Sequence, residues 1–190
     1  MKKIRILAIS GSLRSNSANT NLLRAIGDLD TENLDLELFE GLDNFPHFNP
    51  GMDENNHFVA DFRSRINKSD GVIFSTPEYA FGVPGVLKNA LDWIVSTGEL
   101  NDKPVAVISA SPLNSGGEKA LDSLLLTLTA LGTVKDENSS LSIANIKSKL
   151  NAEGKITDET LTASLRAVVG NLIKQIQNKH VKNDLQQSDL

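Results

Sequence analysis

The chain has no cysteine, one tryptophan, one tyrosine and three histidines in 190 residues. Without cysteine there are no disulfide staples, no thiolate nucleophile, no iron–sulfur cluster and no cysteine-based zinc site. The three histidines, His47, His57 and His180, show no metal spacing, and each reads as a solvated surface side chain. No basic run occurs, and acidic residues outnumber basic ones 24 to 19, for a formal net charge of −5. Nucleic acid and anionic membranes are therefore poor candidates for the main partner. No apolar stretch approaches membrane-spanning length, and Ile4–Ile9 is too short for the core of a signal peptide. The expectation is a cytoplasmic protein.

What is present is ordinary globular composition, 39% hydrophobic and 23% charged, in a length that suits one domain with a sizeable core. Ile4–Ile9, Gly71–Ser75 and Pro104–Ala110 are continuous apolar runs, the pattern of parallel strands covered on both faces. Leu34–Phe39 alternates, with Leu34, Leu36 and Leu38 on one side and Asp35 and Glu37 on the other, as in a strand near an edge. Leu141–Ala144 is the better candidate for a fifth strand. Between these runs lie helical stripes: Leu22/Leu23/Ile26/Leu29, Phe58/Phe62/Ile66, Leu87/Leu91/Ile94, Leu121/Leu124/Leu128 and Leu161 to Ile176. Thr157 is the expected N-cap of the last. The alternation predicts an α/β fold, a doubly wound five-stranded parallel sheet with helices on both faces. Residues 1–179 form the expected domain, and the polar stretch 180–190 is expected to fray.

In such sheets, ligands bind beyond the carboxyl ends of the strands where the strand order reverses. Three loops leave the strands there. Ser10–Thr20 is rich in Ser and Asn, holds Gly11 and Arg14, and opens a helix; it suits an anion at a helix N-terminus, or simply an N-cap-rich turn. Thr76–Gly85 carries two prolines, two glycines and the aromatic residues Tyr79 and Phe81. It could border a flat ring with backbone amides, or pack on a neighbour or a subunit. Ala110–Glu118 contains Gly116-Gly117, which permits close backbone approach or a flexible lead-in. No G-x-G-x-x-G fingerprint and no P-loop is present.

Gly11-Ser12-Leu13-Arg14 with Ser17 and Asn19, then Pro77-Glu78-Tyr79, Pro84-Gly85 and Leu87-Lys88-Asn89-Ala90-Leu91-Asp92-Trp93, resemble the NADPH-dependent FMN reductase family. That family is flavodoxin-like and includes bacterial quinone, azo-dye and chromate reductases. The resemblance spans roughly residues 4–132. It implies FMN as cofactor, with Ser12, Arg14, Ser17, Asn19 and Thr20 around its phosphate. Pro77, Glu78, Tyr79 and Ala80 would border the isoalloxazine, largely through backbone groups. Ser111, Gly116 and Gly117 would lie near its other edge. Many relatives have Asn where this chain has Ala80, so only a backbone role transfers there.

The implied activity is that of an NAD(P)H-dependent reductase. NADPH or NADH delivers hydride to the flavin N5, and a small acceptor (quinone, azo compound, chromate or flavin) then takes its place in a ping-pong cycle. Such chemistry needs no nucleophile, metal or catalytic dyad in the protein. Glu78 reads as a surface-loop acid in preference to a proton donor. A homodimer or homotetramer is expected, with Trp93 either at that interface or at the edge of its own core. The alternatives are a flavodoxin-type electron-transfer protein without its own NAD(P)H activity, or a flavin-free regulatory or nucleotide-binding domain.

Overall fold

The computed structural model describes residues 3–51 and 56–188. Five parallel strands, β1 (Ile4–Ser10), β2 (Leu34–Phe39), β3 (Gly71–Thr76), β4 (Val105–Ala110) and β5 (Ser140–Ile143), form one sheet in the order β2-β1-β3-β4-β5. Five α-helices connect and flank them: α1 (Ala18–Leu29), α2 (His57–Lys68), α3 (Gly85–Asp92), α4 (Glu118–Ala130) and α5 (Glu159–Ser188). This is the doubly wound α/β arrangement, and the alternating Leu34–Phe39 segment is the edge strand its pattern indicated.

Parallel strands need crossover connections, and the helices of those crossovers cover both faces. Two apolar layers result. On one face, Leu7, Ile9, Val72 and Phe74 pack under Phe62 and Ile66 of α2, Leu87 and Leu91 of α3, and Leu124 and Leu128 of α4. On the other, Ile6, Ala8, Ile73 and Ile108 pack under Leu22, Leu23 and Ile26 of α1 and Leu165, Leu172 and Ile176 of α5. β3 and β4 are buried at every position, which is why their sequences do not alternate.

Two local details differ from the sequence-based expectation, and a third resolves an open alternative. Asp158, not Thr157, caps α5: its Oδ1 accepts the Leu161 amide at 2.6 Å, while the Thr157 hydroxyl bonds the Lys149 carbonyl. The stretch after Lys179, expected to fray, continues α5 as far as Ser188, and residues 189–190 lie outside the described residues. Trp93 belongs to its own chain's core. It is 2% exposed, stands edge-on to Phe48, and donates from Nε1 to the Pro46 carbonyl.

At the amino end of the sheet, the Lys103 ammonium donates to the Ser69 carbonyl at 2.7 Å in a largely desolvated position. Burial, reinforced by repulsion from Lys179, lowers its pKa from 10.5 to about 8. Between pH 8 and 10.5 the unfolded chain therefore binds more protons at this site than the folded one, so the site adds stability as pH rises through that window. Relative to Lys103→Met, the wild-type urea midpoint should climb between pH 8 and 10; a pH-independent difference would show that burial does not perturb the amine.

Candidate functional site

The strand order reverses at β1, whose chain leaves first to β2 on one side and then to β3 on the other. The loops after β1, β3 and β4 diverge from the carboxyl ends around that point and leave a cleft of about 400 Å³. Of the residues expected at the site, Ser12, Arg14, Ser17, Asn19, Pro77, Glu78, Tyr79 and Ser111 line it together. Thr20, Ala80, Gly116 and Gly117 are not among its lining residues.

The first loop turns on Gly11, whose amide donates to the Ser75 carbonyl at 2.8 Å. Ser17 is the N-cap of α1 and is buried, yet its hydroxyl makes no capping bond. That leaves a hydroxyl at the positive end of a helix, in the same cleft as the exposed Arg14, a combination suited to an anion. Asn19 and Thr20 are engaged otherwise. The Asn19 carboxamide accepts from Ser75 Oγ at 2.9 Å and donates to the Ala110 carbonyl at 3.3 Å, tying α1 to the ends of β3 and β4. Thr20 shares a 2.7 Å hydrogen bond with Ser10 and faces a smaller crevice beside β2. Thr20 supports the loop from behind, while Asn19 both braces it and lines the cleft.

The second loop contains a tight reversal. Tyr79 and Gly82 exchange backbone hydrogen bonds of 3.0 Å each way, and the two residues between them, Ala80 (φ 49°) and Phe81 (φ 63°), are both left-handed. This is type I′ geometry, which glycine and asparagine adopt easily and alanine and phenylalanine do not. Asparagine would sit at position 80 with less backbone strain than Ala80 does. The reversal also spends the Tyr79 amide on Gly82, so it is not available to a ring edge. Glu78 is turned toward α4, where its Oε2 accepts the amides of Lys119 (2.9 Å) and Ala120 (3.1 Å).

In the third loop, Gly116 (φ 63°) and Gly117 (φ 81°) are both left-handed. A Cβ on Gly116 would clash with Ser142 Oγ. These glycines serve the packing of the α4 start against the strand ends, and Ser109 Oγ fixes the Gly116 carbonyl at 2.8 Å.

The sequence reading missed the cleft's outer wall. It is made by a short 3-10 turn, Ile146–Lys149, and the hairpin closed by a Leu150–Ile156 bridge. Ile146, Lys147, Leu150 and Asn151 face the cleft from it. The Asn145 and Ile146 amides anchor this wall to the Leu113 and Ser111 carbonyls. No residue type in the segment signals a site; only its position after a fifth carboxyl end does. Four large apolar side chains are also exposed on the three loops: Leu13, Tyr79, Phe81 and Leu113.

Comparison with known proteins shows the family of the chain. The model of the NADPH-dependent FMN reductase family matches residues 4–147. The chain belongs to that family. It is 34% identical over 173 residues to the NADPH:quinone oxidoreductase of Arabidopsis thaliana, covering 87% of this chain and 88% of the relative. It is 32% identical over 160 residues to an NAD(P)H-dependent FMN reductase of Pseudomonas aeruginosa, covering 82% and 86%. Among solved structures, the flavoenzyme NAD(P)H:(acceptor) oxidoreductase FerB of Paracoccus denitrificans superposes with a TM-score of 0.83 at 30% identity, covering 92% of this chain and 98% of that one. The family is one of flavodoxin-like oxidoreductases with FMN as cofactor and NAD(P)H as reductant. The residues in the cleft fit that cofactor. A buried uncapped hydroxyl and an arginine stand at the α1 N-terminus, and the volume lies within the roughly 300–1,000 Å³ usual for ligand sites.

The left-handed Ala80 gives a direct check on the loop geometry, since an L-residue with a Cβ costs roughly 1–2 kcal/mol in this region and asparagine costs less. Ala80→Asn should therefore stabilise the protein by up to about 1 kcal/mol in urea unfolding. Destabilisation would mean that the reversal between Tyr79 and Gly82 is not left-handed in solution.

Proposed function

We propose that the chain is an NAD(P)H-dependent FMN reductase that passes electrons to small flat acceptors of the quinone type by a ping-pong cycle in one shared cleft. The observation that carries this is the convergence of Ser12, Arg14 and Ser17 at the α1 N-terminus with Pro77–Tyr79 and Ser111 across a single opening. FMN bound there supplies the hydride-accepting and hydride-donating centre. The chain's own residues bind, orient and shield.

Arg14 and the start of α1 take the phosphate. Pro77, Glu78 and Tyr79 border one side of the ring and Ser111 the other. Gly116 and Gly117 keep the start of α4 close behind that edge, while Asn19 and Thr20 hold the phosphate loop in shape without touching the phosphate. No charged side chain of the cleft is needed as nucleophile or metal ligand. Tyr79 and Leu113 line the cleft and are 52% and 66% exposed. They offer apolar contact to a planar nicotinamide or quinone. One cleft serving both partners in turn supports donor departure before acceptor entry.

The exposed Phe81 (79%) beside that opening supports a homodimer or homotetramer in which a second copy covers the aromatic tip. Dependence on a nicotinamide reductant supports a cytoplasmic location.

The phosphate assignment is tested with Arg14→Ala. A charge-assisted hydrogen bond is worth about 1.5–3 kcal/mol, so FMN affinity of the apoprotein should fall at least roughly tenfold. At saturating FMN the variant should turn over at close to the wild-type rate. Unchanged FMN affinity would remove Arg14 from the phosphate site.

A further inference from the structure

We infer that Glu78 is a positioning residue, a remote cap on α4 that fixes the distance between the two loops flanking the ring, and not a proton donor. The inference rests on the cleft being the FMN site proposed above. Helix α4 begins at Glu118 behind Gly117, a left-handed glycine with no side chain to accept the first amides of the helix. Those amides need an acceptor. Glu78 supplies it from a loop 41 residues earlier, with one carboxylate oxygen accepting both Lys119 N at 2.9 Å and Ala120 N at 3.1 Å.

Two consequences follow from that contact. Glu78 lies in the loop after β3 and its carboxylate binds the start of α4, where the loop after β4 ends, so it is the strut that sets the gap between them. The same strut lies two residues before the strained Ala80 of the reversal, whose ends Tyr79 and Gly82 close by mutual backbone bonds. Electrostatically, the negative charge of Glu78 is directed into the positive end of α4. It is compensated there, and it does not oppose negative charge arriving on a reduced ring in the cleft.

The test compares Glu78→Ala with Glu78→Gln, whose amide oxygen can still accept both N–H groups. In the apoprotein, hydrogen exchange at the Lys119 and Ala120 amides should accelerate about tenfold in Glu78→Ala and stay within about threefold of wild type in Glu78→Gln, the scale of a lost helix cap. FMN affinity should follow the same order, and the visible circular dichroism of bound FMN should change in Glu78→Ala and be restored in Glu78→Gln. The pH profile of NADPH oxidation at saturating FMN should keep the same limbs in Glu78→Gln as in wild type. Wild-type exchange and FMN affinity in Glu78→Ala would overturn the inference. So would loss of a pH limb in Glu78→Gln, which would make the group a general acid. If the wild-type protein takes up no FMN, the proposed function fails, while the exchange measurement still decides whether Glu78 caps α4.

Discussion

One buried carboxamide, Asn19, holds the carboxyl end of the sheet together. It accepts from Ser75 at the end of β3 and donates to the last carbonyl of β4, from a position in the first turn of α1. Three elements that would each present a loose loop are thereby brought into fixed relation. A buried amide with an unmet partner costs about 1–3 kcal/mol, so this arrangement is strongly specified. The start of α1 is thereby fixed against the ends of β3 and β4, from which the cleft's loops leave.

The fold divides labour by layer. Apolar packing on the two faces of the sheet sets where the strands end, and at its carboxyl end Ala110 and Ile146 belong both to that core and to the cleft wall. At the carboxyl ends, buried hydroxyls take over from apolar side chains: Ser10, Ser75, Thr76 and Ser109 are all nearly inaccessible. They bind neighbouring backbone and side chains, Ser10 to Thr20 and Ser109 to Gly116. The cleft's polar surface is thus supported by a second polar tier beneath it, as a preorganised site needs. In a chain with net charge −5, the cleft itself carries Arg14 and Lys147 against one carboxylate that faces a helix end. A local positive site in an acidic protein suits an anionic cofactor and a phosphorylated donor.

The sheet was legible in the sequence because parallel strands buried on both faces leave continuous apolar runs, and because Leu34–Phe39 alternates as an edge strand does. The last strand was placed one residue late, since Ser140 and Ser142 give β5 no apolar run. The cleft was legible in outline, but residue type did not separate binding from bracing. Asn19 and Thr20 sit beside Arg14 and Ser17 in sequence, yet their side chains hydrogen-bond to the ends of the strands, Asn19 while also lining the cleft. Glu78 reads as a loop acid because its partners are 41 and 42 residues away. The wall at Ile146–Asn151 is an unremarkable polar turn in sequence and becomes part of the site only through the β5 crossover. Ala80 was legible as a departure from the family pattern, and its left-handed backbone supplies the physical meaning.

The central claim is that this cleft holds FMN and accepts hydride from NAD(P)H without an electron acceptor present. Anaerobic titration of the FMN-loaded protein with NADPH, followed by visible absorbance, tests it most directly. The account predicts rapid bleaching of the oxidised flavin, complete at one equivalent in a single two-electron step. Failure of NADPH to bleach the bound flavin, or a long-lived one-electron species on chemical reduction, would contradict it and mark the protein as an electron carrier.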